Sequence, residues 1–166
     1  MRRIENLAVV FVIGAAILIS VSAQAVAINV DTTVTVSADN STDYEIAAGK
    51  TLTFSVASGA TYTLSGVISG EGAVRIDGGG RLRFANSANS FSGGLFIYGT
   101  GSSGSSSRAI ATASGAFGTG PITNSNYACV VFDCKDGIFP NTIYLINGNT
   151  PWMENPDNID RKSPTV

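Results

Sequence analysis

Short runs of alternating apolar and polar residues fill most of the chain, and turns rich in glycine, asparagine and serine separate them. A period of two places one side chain in a core and the next in solvent, which predicts β-strands. After residue 25, no segment sustains the 3.6-residue apolar period of an amphipathic helix. The predicted strands are Thr33–Val36, Thr51–Phe54, Tyr62–Leu64, Ala73–Ile76, Arg81–Phe84, Leu95–Tyr98, Cys129–Phe132 and Thr142–Ile146.

The spacing of these strands fits two all-β architectures, an antiparallel β-sandwich and a β-solenoid. Three features favour the solenoid. Several strands share Gly-x-Leu/Val-x-Phe/Ile flanks, and most turns are built from Gly, Asn and Ser rather than from the Asn-Gly or Asp-Gly pairs of tight hairpins. The chain also has a single tryptophan, whereas a sandwich core often contains a large central ring. We therefore predict a short β-solenoid, with the antiparallel β-sandwich as the alternative. At its turns, residues such as Asn86 and Asn89 can stack and tolerate the left-handed conformation.

The N-terminus has the pattern of a secretory signal peptide. Arg2 and Arg3 precede an apolar run from Leu7 to Ile19, and small residues follow at positions 22–27. This run is shorter than the ~20 residues that span a bilayer, which favours cleavage over an uncleaved anchor. The sequence thus predicts a helical signal peptide (1–25), an N-terminal strand or cap region (26–48), a solenoid (49–147) and a polar tail or cap (148–166). It predicts export to the cell surface, the outer membrane, the medium or the periplasm.

Charge and composition exclude several classes of function. Cleavage after residue 25 removes two of ten basic and one of twelve acidic residues, which leaves a net charge of −3. This balance disfavours nucleic-acid binding, and Arg75, Arg81 and Arg83 are expected to form a dispersed, solvated face. The chain has no histidine, so histidine-dependent triads and histidine-ligated zinc are excluded. We predict no catalytic residues, cofactor or metal site, and membrane contact only through the signal peptide.

Two groups of residues leave alternatives open. Cys129 and Cys134 form either a disulfide or two separate thiols, and a disulfide requires a turn near Phe132 because an extended strand would hold them ~16 Å apart. The carboxylates Glu71, Asp77, Asp133 and Asp136 are either solvated surface charges or part of a polysaccharide-cleaving site. The segment 99–107 is expected to form a flexible Gly/Ser loop.

One segment, residues 78–99, resembles the passenger-associated repeat of bacterial autotransporters, and the resemblance extends over roughly residues 67–126. In that repeat, a glycine precedes a Leu-x-Leu strand, and an Asn-x-(Tyr/Phe)-x-Gly-Gly turn leads to a further strand. A second match is similar to the family's Leu-Gly-x-Gly-Pro stretch. The residues that carry the resemblance are Gly80, Leu82, Phe84, Asn89, Phe91, Gly93, Gly94, Gly118, Gly120 and Pro121.

The resemblance implies a right-handed parallel β-helix outside the cell. It further implies a rigid scaffold or adhesin-like module whose partners are surface glycans or other envelope proteins. The segment after residue 126 is too short for the outer-membrane barrel of that family, so the chain is expected to be free-standing or a fragment. The alternative function is that of a small carbohydrate-binding or polysaccharide-cleaving β-helix, with Tyr62, Tyr98, Tyr127 or Trp152 stacking on sugar rings.

Overall fold

A computed structural model describes residues 24–99, 106–135 and 137–146, together with the backbone of residues 152–154. None of these residues forms a helix that is long and apolar enough to cross a membrane. The predicted signal-peptide helix lies outside them, apart from residues 24 and 25. The strands are β1 (Val26–Ile28), β2 (Thr32–Val36), β3 (Tyr44–Ile46), β4 (Thr51–Val56), β5 (Thr61–Leu64), β6 (Ile68–Gly70), β7 (Ala73–Asp77), β8 (Arg81–Phe84), β9 (Leu95–Tyr98), β10 (Arg108–Ala111), β11 (Ile122–Ser125), β12 (Cys129–Phe132), β13 (Ile143–Ile146) and β14 (Trp152–Glu154).

The strands assemble into three sheets that follow one another around a common axis. Sheet A has the order β1-β3-β6, sheet B the order β13-β11-β9-β7-β4-β2, and sheet C the order β14-β12-β10-β8-β5. Every described strand pair is parallel, and the one antiparallel contact is an isolated bridge between Ala57 and Gly79. The predicted parallel β-solenoid is therefore confirmed, and the antiparallel sandwich is wrong.

The register along sheet B measures the length of each coil. Its partners Thr32, Leu52, Val74, Leu95, Ile122 and Ile143 give coils of 20, 22, 21, 27 and 21 residues, or about five turns. The longest coil contains the predicted Gly/Ser loop, of which residues 100–105 lie outside the described residues. The end of that loop belongs to the solenoid, since Ser107 is buried and its hydroxyl accepts a hydrogen bond from the Gly79 N–H at 3.1 Å.

A narrow apolar core runs through the coils. Alternate residues of each strand point inward, as in β4, where Leu52, Phe54 and Val56 are fully buried. Burying each such side chain stabilises the fold by about 1.5–3 kcal/mol. Phe84 packs edge to face on Phe117 of the next coil, with ring centroids 5.5 Å apart. The alternation read from the sequence thus fixes which face of each strand forms the core.

Three aspartates of the first coil tie it to the second at positions between the strand ladders. The carboxylates of Asp31, Asp39 and Asp43 accept hydrogen bonds from backbone N–H groups 20–24 residues later, at 2.7–2.9 Å. Above them, Tyr44 is buried against Phe54, and its hydroxyl accepts a hydrogen bond from Asn40 Nδ2 at 3.0 Å. These hydrogen bonds hold the first coil to the second in addition to the strand ladders.

Candidate interaction surfaces

The residues of the predicted repeat occupy structural positions in two consecutive coils. Leu82 and Phe84 point into the core from β8, Phe91 is fully buried, and Gly80 is buried immediately before β8. A Cβ at Gly80 would lie 2.4 Å from the Ala57 carbonyl oxygen of the preceding coil. These side chains are part of the packing and do not form a binding site.

Asn89 joins three successive coils through its side-chain amide. Its Oδ1 accepts a hydrogen bond from the Ile68 N–H at 2.8 Å, and its Nδ2 donates one to the Ala116 carbonyl at 2.7 Å. Neither Asn86 nor Asn89 adopts the left-handed conformation that asparagine tolerates, because the described non-glycine residues with positive φ are Asn126 and Tyr127. The amide of Asn89 instead satisfies backbone groups between coils.

The two matched glycine motifs lie one above the other at the corner that leads into sheet B. Leu95 and Ile122, which follow the motifs, are register partners, so Gly93-Gly94 lies beneath Gly120-Pro121. The Leu95 N–H donates a hydrogen bond to the Pro121 carbonyl at 2.8 Å. A Cβ at Gly120 would lie 2.4 Å from the Ser92 carbonyl oxygen and 2.5 Å from the Gly94 nitrogen. Glycine at this corner therefore allows the backbones of neighbouring coils to approach closely.

The outer face of sheet B carries a cation stacked on an aromatic ring. The guanidinium carbon of Arg75 lies 4.2 Å from the centre of the Tyr98 ring, and Arg75 Nη2 donates a hydrogen bond to Asp77 Oδ2 at 2.9 Å. Arg75 lies in register between Thr53 and Phe96. Because both charged side chains are about 40% exposed, the ion pair adds little to stability. This group combines aromatic, cationic and anionic side chains on an open surface.

The outer face of sheet C carries arginines on neighbouring strands. Arg81 is the register partner of Thr61 on β5 and of Arg108 on β10, while Arg83 lies between Thr63 and Ile110. Arg81 and Arg83 are exposed. Farther along the same face, Ile110, Cys129 and Val131 form a separate cluster that is at most 7% exposed. The predicted dispersal is correct for Arg75, which lies on sheet B, but Arg81 and Arg83 share one face of sheet C. Arg108 was not included in the prediction because it follows the Ser-rich run.

The two cysteines are not joined by a disulfide in the structure. Cys129 begins β12 and is 2% exposed, whereas Cys134 lies two residues beyond the end of that strand and is half-buried. Burial raises the pKa of the Cys134 thiol, and the negative charge of Asp133 raises it further, while a hydrogen bond with the Gly137 backbone partly opposes the rise.

The carboxylates considered for a cleavage site are not brought together. Glu71 follows β6 of sheet A, Asp77 ends β7 of sheet B and is paired with Arg75, and Asp133 follows β12 of sheet C. Asp136 lies outside the described residues. Glu71 does line a depression of about 390 Å³ that Glu45 also lines. Among the described residues, no group of three potential metal-ligating side chains is present.

The aromatic residues considered for sugar stacking differ in their surroundings. Tyr62 packs against the core, and Tyr127 is half-buried in a turn with φ of +63°. The side chain of Trp152 lies outside the described residues. Tyr98, on the outer face of sheet B, is the member of this set with a defined polar neighbour.

Comparisons with known proteins add no relative to this description. No family model matches the chain, and no significant match was found among curated proteins or among solved structures.

Proposed function

We propose that the chain is an exported structural β-solenoid similar to the passengers of autotransporters, and that it serves as a rigid scaffold or adhesin-like module at the bacterial cell surface. The observation that carries this proposal is the continuous parallel ladder of sheet B, which joins six strands across the coils around a buried core. Such a stack is stiff because every coil is hydrogen-bonded to its neighbours. Its outer faces then present side chains at fixed spacings.

Export is tested by expressing the full chain in a Gram-negative host, followed by cell fractionation and mass measurement. We expect a processed form outside the cytosol that lacks residues 1–25. The matched control is a variant without the apolar segment 7–19, which should remain unprocessed in the cytosol. Cytosolic retention of the unaltered chain with an intact N-terminus would contradict the proposal.

The C-terminal end of the solenoid supports the further proposal that the chain is part of a longer rod. Among the described strands, β13 lies at the C-terminal edge of sheet B, and its Tyr144, Leu145 and Ile146 are 48–56% exposed. Leu145 is the register partner of Asn124, which is fully buried. Leu145 therefore occupies a core position of the last coil, yet its side chain is exposed to solvent. Edge strands are usually protected by charges or proline, yet β13 carries neither. A further coil would cover this edge.

Light scattering coupled to size-exclusion chromatography tests this arrangement with the purified chain. We expect association that rises with concentration and that Leu145→Lys suppresses. Val30→Lys is the matched control, because Val30 is 67% exposed at the opposite end of the solenoid. A monodisperse, soluble chain at high concentration would contradict an edge that requires a further coil.

The second candidate function is carbohydrate binding on sheet B, and the Arg75–Tyr98 group favours it. Aromatic rings beside charged hydrogen-bonding groups suit the apolar face and the hydroxyl groups of a sugar. A glycan array with the unaltered chain and Tyr98→Ala tests this function. Binding that is lost in Tyr98→Ala and retained in Tyr62→Ala would support it, whereas an array without any binding would leave the scaffold function alone.

A further inference from the structure

The arginines on the outer face of sheet C form a binding surface that is separate from the Arg75–Tyr98 group. We propose that Arg81 and Arg83 bind an acidic polysaccharide, a polymer that bears sulfate or carboxylate groups. The inference rests on the proposed function, because export is what would bring the chain to such a polymer.

The geometry of the sheet sets the spacing of these arginines. Arg81 and Arg83 are two residues apart on β8, so their Cα atoms are separated by roughly 6.6 Å and their side chains leave the same face. Arg108 is in register with Arg81, about 4.8 Å away on the neighbouring strand. The sheet therefore holds three cationic residues on two adjacent strands.

Arg81 and Arg83 are available to a ligand. Both are exposed, and within the described part of the chain neither guanidinium has a hydrogen bond or ion pair. Arg75 differs, because its guanidinium is already paired with Asp77 and stacked on Tyr98. Two unpaired guanidinium groups on an acidic chain of net charge −2 concentrate positive potential on this face.

The chemistry of the face selects the class of ligand. Guanidinium groups bind sulfate-like and carboxylate oxygens through two parallel hydrogen bonds. Thr61 and Thr63, the register partners of Arg81 and Arg83, supply neutral polar groups beside the cations. Two exposed arginines on one strand cannot enclose a small anion, but they can contact an extended polymer whose anionic groups recur along its length. Single-stranded nucleic acids bind through bases that stack on aromatic side chains. The residues beside these arginines are threonines, so a polysaccharide fits this face better than a nucleic acid does.

Binding is measured with the purified full chain on immobilised heparin, which is sulfated, and polygalacturonate, which is carboxylated. Neutral dextran and single-stranded DNA serve as comparison ligands. We expect binding to at least one acidic polysaccharide that weakens as salt increases. The double variant Arg81→Gln/Arg83→Gln should lose affinity by about tenfold or more, because two charged hydrogen-bonding groups are removed. Lys50→Gln, which removes a cation from the turn before β4, is the matched control and should change affinity by less than about twofold.

Each result decides the inference. It is overturned if neither acidic polymer binds, if dextran or DNA binds equally well, or if Lys50→Gln weakens binding as much as the double variant does. Both altered side chains are exposed, so a circular dichroism spectrum unchanged from that of the unaltered chain attributes a loss of affinity to the surface. Cytosolic retention of the chain would contradict the proposed function, yet this binding measurement would still stand on its own.

Discussion

The side-chain oxygen of Asn89 lies 2.8 Å from the backbone nitrogen of Ile68, one coil below it. The same amide donates to the Ala116 carbonyl one coil above, and the side chain is buried. Asn89→Ala would leave a buried donor and a buried acceptor without partners. We expect the free energy of unfolding to fall by about 1–3 kcal/mol for each orphaned group, as measured by urea denaturation.

Asn86→Ala is the control for this prediction. Asn86 also links two coils, because its Nδ2 donates to the Ser65 carbonyl at 2.9 Å, but this bond is exposed. Water can replace it, so the loss should remain below about 1 kcal/mol. Equal losses in the two variants would mean that burial of the Asn89 amide is not what matters.

Gly118 combines a left-handed backbone with a close approach to the coil below. Its φ is +66°, and an added Cβ would lie 2.4 Å from the Phe91 carbonyl oxygen. Gly59 has a similar φ of +80° but open space around the added Cβ. We expect Gly59→Ala to lower the free energy of unfolding by about 1–2 kcal/mol through backbone strain alone. Gly118→Ala should lower it clearly more, as measured by thermal denaturation. Equal losses in the two variants would show that the structure relaxes freely around the contact with Phe91.

The sequence predicted the strands of sheets B and C best where apolar and polar residues alternate strongly. All eight predicted runs are strands in the structure. Apolar residues such as Leu52 and Phe54 must be buried on one side of a strand in any sheet arrangement, so the alternation is visible in the sequence. No strand of sheet A was predicted individually, and only a general N-terminal strand or cap region was predicted at 26–48. The strands of this sheet are three residues long, and runs such as Tyr44–Ile46 contain too few positions to establish a period.

Polar residues inside the solenoid were also beyond sequence reasoning. Strand β11 was missed because Asn124 occupies a core position where the pattern requires an apolar side chain. The bonds made by Asp31, Asp39 and Asp43 join residues at least 20 positions apart, so they become visible only once the coil register is known. Arg81 and Arg108 are likewise neighbours only because of that register.

Cys134 should react slowly with alkylating reagents in the folded protein. Burial, followed by the charge of Asp133, raises the pKa of its thiol, so a smaller fraction is thiolate at a given pH than in the unfolded chain. The pH of half-maximal iodoacetamide labelling, located by mass spectrometry, should therefore be higher in the native than in the denatured protein. Asp133→Asn should lower it part of the way. A native midpoint at or below the denatured one would contradict the assigned environment.

Asn124 should be replaceable by an apolar residue with a gain in stability. Its side chain is fully buried, and neither Oδ1 nor Nδ2 has a hydrogen-bond partner in the structure. It lies in register between Ile97 and Leu145, so both neighbours in the column are apolar. Leucine has the same branching and removes the cost of an unsatisfied amide, about 1–3 kcal/mol. We expect Asn124→Leu to raise the free energy of unfolding in urea and to leave the circular dichroism spectrum unchanged.

The control is Thr123→Val, on the outer half-exposed face of the same strand, which should change the free energy of unfolding by less than about 0.5 kcal/mol. Destabilisation by Asn124→Leu would contradict this prediction. It would indicate that the amide binds a water molecule or a ligand inside the coil, so that a polar side chain is required at this core position.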